Sequence, residues 1–352
     1  MKKSKRNGIK IASVYIGTVL GAGFASGQEL TKFFAAYGKG GMIGLFVAGV
    51  LFALIGWAVL ETIYVEKIKS YEEYIDLLMG KYLSRFMKVL VSAFMFICFC
   101  TMFAGSGALL QQRFNLPYQT GVLMMAIACY ITFLYDVKGV IAVNTILAPL
   151  LIIGIFILGI NILLFREVDV MTTTLKQAFN IINDNWVTST IVYVSYNSIT
   201  AVVVLTSLYS LVNSKAVARG SSILAGVSLS VLGLCLGVAT LINYGKIKEV
   251  EIPMLEIVMG YIQTIQYIYL FVLISAMFTT AVANGYGVID RMRNIFKIKS
   301  NYISSIIIIL AMVVAQFGFS NMVGKIYPIF GYIGIFQIVI ILLYFVVSKI
   351  KK

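Results

Sequence analysis

The stretch Ile16-Gly17-Thr18-Val19-Leu20-Gly21-Ala22-Gly23-Phe24-Ala25-Ser26-Gly27-Gln28-Glu29 decides how this chain is read. It lies inside a long apolar run, yet four glycines fall within eleven positions. Each Gly lowers helix stability by about 1 kcal/mol relative to Ala. A helix weakened at its middle can unwind and leave N–H and C=O groups free for an ion or ligand. Gln28 and Glu29 adjoin the glycines, and a carboxylate inside a membrane is costly and usually functional. The same residues also suit close helix packing, through Gly17-x-x-x-Gly21 and Gly23-x-x-x-Gly27. A dinucleotide fingerprint does not fit, because Ser26 fills its third Gly position and no strand precedes it.

The rest of the 352 residues place this stretch in a bilayer. Hydrophobic residues make up 60% and charged residues 12%, and the mean hydropathy is +0.95. A soluble globular protein carries about 25% charged residues. There is no His, which removes Ser–His and Cys–His nucleophile pairs and His-ligated metal or haem sites. Cys98, Cys100, Cys129 and Cys235 sit in apolar runs without CxxC spacing and read as small core residues. No enzyme chemistry is expected.

A membrane span needs about 20 mostly apolar residues. Ten candidates run near 10–35, 41–65, 86–111, 117–135, 139–165, 186–212, 216–243, 254–287, 302–320 and 323–348. The expected fold is an all-α polytopic membrane protein, since hydrocarbon cannot solvate a loose backbone. With the N-terminus inside, 20 of the 28 Lys and Arg fall on inner segments and 8 on outer ones. That bias predicts both termini inside. It assigns the net charge of +14 to the cytoplasmic face and anionic headgroups, not to nucleic acid.

Ten spans divide as five plus five, and an odd unit repeated once must be inverted. Residues 1–165 form the first expected repeat and 186–352 the second, intertwined in one membrane domain. Transporters of this design bind at the midplane, where the first helix of each repeat is broken. Spans 1 and 6 are therefore expected to be interrupted. Span 6 carries Ser195-Tyr196-Asn197-Ser198 near its middle but no Gly between Trp186 and Val212. Its cluster suits either a broken backbone or interhelical hydrogen bonds in an intact helix. In span 8, Ala276 precedes Thr279 and Thr280 by three and four residues, so its carbonyl and both hydroxyls meet on one face. Such hard oxygens suit sodium, although Thr also bonds back to its own helix. Phe24 is a candidate substrate gate. Glu61 reads as a snorkelling or capping residue, and Pro149 and Pro328 as kinks in spans 5 and 10. Residues 71–79 and 171–182 suit short surface helices, internal and external.

These residues resemble the amino acid–polyamine–organocation superfamily with its LeuT-type five-plus-five fold. The run from Gly21 to Glu29, with the chain length, is most similar to the YkvI-type bacterial membrane proteins. The resemblance implies a sodium site made by the Gly17 and Leu20 carbonyls, the Ala276 carbonyl and the Thr279 and Thr280 hydroxyls. It implies substrate contacts at Gly21, Ala22, Gly23, Ser26, Ser195, Tyr196 and Asn197. Some proton-coupled relatives place a Lys amine in the middle of span 5. Here Lys138 stands only at its start, which favours sodium, while Gln28 and Glu29 keep a proton-coupled reading open. The implied activity is a cation-coupled secondary transporter in the cell membrane. It would carry a small zwitterion, with an amino acid as first candidate, by alternating access and without a cofactor. The alternative is a ligand-sensing receptor subunit of the same fold that moves nothing.

Residues 1–27 also look like a signal peptide, with a basic start, an apolar core and small residues. The apolar stretch resumes after Gly27, so retention is expected. Intact mass of the membrane-purified chain checks this; a mass lacking residues 1–27 contradicts it.

Overall fold

The computed structural model describes residues 2–135, 139, 147, 153–154, 185–296 and 300–350. Most of span 5, with Lys138 and Pro149, and the segment 171–182 lie outside the described residues. Six described helical stretches are long and apolar enough to cross a bilayer, and two shorter apolar helices, Tyr118–Leu134 and Asn301–Phe317, accompany them.

Span 1 is broken. Its first helix, Lys2–Val19, stops before Leu20, and Gly21 is extended (φ −72°, ψ −175°). One helical turn follows, Ala22–Ala25. Gly27 then turns the chain with φ +78°, and Gln28–Phe33 completes the crossing. The left-handed conformation at Gly27 favours a residue without Cβ. Space requires the same: a methyl there would lie 2.5 Å from Met254 Cγ and 3.1 Å from the Met254 nitrogen.

Span 6 differs from the expectation. It is one continuous helix, Trp186–Ser207. Two of its polar side chains turn back on their own helix, Ser195 Oγ donating to Ile191 O (2.7 Å) and Asn197 Nδ2 to Tyr193 O (3.1 Å). Without a Gly to lower the local helix stability, these groups are satisfied in place and the backbone stays closed.

Three further elements refine the sequence reading. The stretch 71–79 is a helix joined to span 3, and Gly80 at φ +68° marks the kink between them within Tyr71–Phe114. Span 8 starts later than its apolar run. Pro253–Val258 is a separate short helix, and the long helix runs Gln263–Phe296. The reason is docking: Met254 N–H donates to the Ser26 carbonyl at 2.9 Å, holding this piece on span 1. Near Pro328 the chain widens into a π-helical segment, Met322–Ile326, before Tyr327–Ile350. Proline supplies no N–H to the preceding turn, which locates the irregularity.

The two halves interlock. Span 2 packs along span 7, span 3 along span 8, span 1 on span 7 and span 2 on span 6. Exchanging each span for the one five places away maps this set of pairs onto itself, as an inverted repeat requires. Small residues allow the closest approach. A methyl on Gly226 would meet Ala53 Cβ at 2.7 Å, and one on Gly49 would meet the Gly226 carbonyl at 2.6 Å.

Two substitutions separate turning from packing. Gly27→Ala is expected to cost about 1–3 kcal/mol, since it forces Cβ into a left-handed, crowded position. Gly17→Ala, where nothing lies within 4 Å of the added carbon, is expected to leave the melting temperature unchanged or higher. Equal melting temperatures for the two variants would contradict the turn at Gly27.

Candidate functional site

The break in span 1 leaves backbone groups without partners. Leu20 N–H reaches Ile16 O and Gly21 N–H reaches Val19 O, while the next bond back is Ala25 N–H to Gly21 O. Among the described residues, no backbone donor meets the Gly17, Thr18 or Leu20 carbonyls. No backbone acceptor meets the Ala22, Gly23 or Phe24 N–H groups. Ala22, Gly23 and Phe24 are buried.

Span 8 faces this break. A methyl on Gly21 would stand 3.7 Å from Thr280 Oγ1. Thr279 is buried, and its hydroxyl donates to Ser275 O (2.9 Å) and Ala276 O (3.2 Å). Donation leaves its oxygen lone pairs free to accept or to coordinate. Thr280 and Gly21 thus meet across the helices, while Thr279 and the Ala276 carbonyl are bonded to each other one turn away.

Glu29 is the decisive side chain. The turn at Gly27 folds it back so that a methyl on Gly23 would lie 2.5 Å from Glu29 Oε1. The carboxylate therefore covers the glycine break. Glu29 is 4% exposed. Glu29 Oε2 and the Tyr196 hydroxyl are both buried without a hydrogen-bond partner. The two groups nonetheless face each other at the margin of hydrogen-bonding range.

Aromatic rings close the space around it. Tyr196 stacks at 5.4 Å from Phe33, 5.6 Å from Tyr193, 6.0 Å from Phe94 and 5.2 Å from Tyr327, measured between ring centroids. Spans 1, 3, 6 and 10 all contribute. The sequence reading missed this wall. Its only trace was Tyr193 three residues before Tyr196, on one helical face.

Other expected site residues do local work. Ser26 Oγ donates to Gly23 O (2.9 Å) and accepts from Gln28 N–H (3.3 Å), so it shapes the turn. Gln28 Nε2 reaches the Val250 and Glu251 carbonyls at 3.3 and 3.2 Å, away from Glu29. Phe24 is buried. Ser195 and Asn197 face their own helix, as described above.

The segment at residues 250–254, which runs into the Pro253–Val258 helix, packs on the second half of span 1. Besides Ser26 and Gln28, it is held by Gln112, which exchanges two hydrogen bonds with Ile252. Glu251 Oε2 also accepts from Ser320 N–H at 2.7 Å. Spans 1 and 3 and the start of the helical stretch Phe319–Ile350 are thereby tied to one plug.

No protein-family model matches the chain. Two proteins of Bacillus subtilis (strain 168) are similar along nearly its whole length. The uncharacterized membrane protein YkvI is 29% identical over 335 residues, 95% of each chain. The uncharacterized protein YyaD is 29% identical over 348 residues, 98% of this chain and 99% of its own. Among solved structures, a mutant manganese transporter of Eremococcus coleocola matches with TM-score 0.61. That match covers 95% of this chain and 77% of that one at 12% identity. Mhp1, a nucleobase-cation-symport-1 family transporter in a closed conformation, matches with TM-score 0.54, 92% and 74% coverage and 13% identity. A Na+-coupled sialic acid symporter matches with TM-score 0.58, 93% and 75% coverage and 14% identity. The fold is the LeuT-type inverted repeat. Its broken first helix and the Gly21–Thr280 approach lie where spans 1 and 8 meet.

Gly23→Ala tests the carboxylate's place. The added methyl collides with the end of a flexible side chain, so the protein should stay folded while Glu29 is displaced. Ligand binding, read by thermal stabilisation, is expected to be lost in Gly23→Ala and in Glu29→Gln alike. Full retention in Gly23→Ala would show that the carboxylate need not sit over the break.

Proposed function

We propose that this protein is a cation-coupled secondary transporter of a small zwitterion, with an amino acid as the leading substrate class. The carrying observation is the interruption of span 1 beneath a buried carboxylate that lacks a full set of partners. An orphaned acceptor inside a membrane protein is expensive, and a ligand that completes it recovers that cost.

The geometry divides the labour. Freed N–H groups at Ala22, Gly23 and Phe24 suit a substrate carboxylate. Because span 6 is intact, its backbone offers no carbonyls for the amino group. Glu29 and the Tyr196 hydroxyl would supply acceptor oxygens instead, and Phe33, Tyr193, Phe94 and Tyr327 would exclude water. Sodium would take the Gly17 and Leu20 carbonyls with Ala276, Thr279 and Thr280. Thr280 is the span 8 hydroxyl that stands against Gly21. The sodium coupling of the sialic acid symporter supports this choice of cation.

Alternating access then follows from which contacts can open. The loop at 250–254 seals one side through Ser26, Gln28, Gln112 and Ser320. Gly17, Gly21 and Thr280 on the other side remain partly exposed. A transporter closed outward would have this arrangement. Sodium and substrate binding would pull spans 1 and 8 together and release the plug.

Purified protein in liposomes should show sodium-dependent uptake of at least one member of a full amino-acid panel. Thr280→Ala should abolish the sodium-induced rise in melting temperature while the protein stays folded. Saturable binding with no flux, in a stable stoichiometric complex with partner subunits, would instead support the sensor.

A further inference from the structure

A second site lies far from the break, at the end of the molecule where span 7 begins. A cleft of about 780 Å³ opens between spans 2, 7 and 10. Its charged residues are Glu61, Glu66, Lys215, Arg219 and Lys349, with Trp57 among them. Trp57 organises it. The indole N–H donates to Glu61 Oε2 at 2.5 Å. Lys349 Nζ lies 4.2 Å from the indole centroid and the Arg219 guanidinium 5.1 Å. Lys349 also stands 3.7 Å from Glu61, balancing that buried carboxylate.

Two cations are left over. Among the described residues, neither Lys215 nor Arg219 has a carboxylate within ion-pair distance, and both are exposed. Glu66 at the rim is the one carboxylate without its own cation, so the cleft stays net positive. Arg219, held against the indole, presents a preoriented fork of donors, the geometry that suits phosphate oxygens.

The surroundings are apolar and face outward. A smaller groove of about 370 Å³ lies on the other side of span 7, between it and the start of span 1, and adds Lys5. Ala216 and Gly220 form the wall common to both grooves, and nothing lies within 4 Å of a carbon added at Gly220. Below the cations, Ile9, Ile223 and Leu224 are 59%, 45% and 45% exposed on the surface that meets lipid tails. Cations at the headgroup level above two apolar furrows fit a molecule with a charged phosphate and two hydrocarbon chains.

We propose that this cleft binds an anionic phospholipid, its phosphate between Lys215 and Arg219 and its acyl chains in the furrows beside Gly220. The site is independent of the transport reading and would stand if that reading failed.

The test uses full-length protein stripped in detergent. Phosphatidylglycerol should raise its melting temperature saturably and be retained in native mass spectra. Phosphatidylcholine with the same acyl chains, and inorganic phosphate alone, should do neither. The double variant Lys215→Gln/Arg219→Gln should lose most of the shift while melting like the parent without lipid. Should that pair fail to fold, Gly220→Leu fills the shared wall and should weaken retention with both cations intact. Equal shifts from phosphatidylcholine, a full shift from phosphate alone, or undiminished lipid retention in the folded variants would each overturn the proposal.

Discussion

Inside a bilayer every peptide N–H and C=O must find a partner within the protein, because no water is at hand to supply one. Span 1 breaks that rule at Leu20 and Gly21, and much of the surrounding structure answers the break. Downstream groups are met one by one: Ser26 bonds Gly23, Tyr269 hydroxyl bonds Ala25 O at 3.1 Å, and Met254 bonds Ser26. What remains unmet is a compact set of carbonyls from the inner half-helix and N–H groups from the outer one. Such a set persists only if something else completes it, which is why the break, more than any single side chain, defines the site.

The inverted repeat is not functionally symmetric. Span 1 and span 6 occupy equivalent places, yet only span 1 opens. The difference is local chemistry. Span 1 holds Gly21 and Gly27 at its turning points, whereas Ser195 and Asn197 in span 6 return their hydrogen bonds to their own helix. Span 6 consequently contributes side chains, chiefly Tyr193 and Tyr196, where a broken helix would contribute backbone. Glu29 packs beside the break at Gly23, and in the proposed transporter it would take the place of the span 6 carbonyls.

Much of this was legible in the residues. Apolar runs of bilayer length announce themselves, and the glycine cluster beside Gln28 and Glu29 pointed to the break in span 1. Glu29 was visible as a carboxylate in the wrong solvent. The remainder depended on tertiary placement. Residues 253–258 are as apolar as a span, so composition alone merged them with span 8; only their docking on Ser26 separates them. The polar run in span 6 suits a broken and an intact helix equally well, and the choice is made by which carbonyls its side chains reach. The aromatic wall draws rings from four distant spans, so no local pattern could have assembled it.

The most direct measurement is hydrogen–deuterium exchange of the peptide covering residues 16–29, with residues 186–207 as an internal reference. A broken span 1 predicts that amides at Ala22, Gly23 and Phe24 exchange faster than those of span 6 in potassium, and slow markedly when sodium and a stabilising amino acid are added together. Protection equal to that of span 6 under every condition would mean that the first crossing is an ordinary closed helix, and the binding site built on its interruption would not exist.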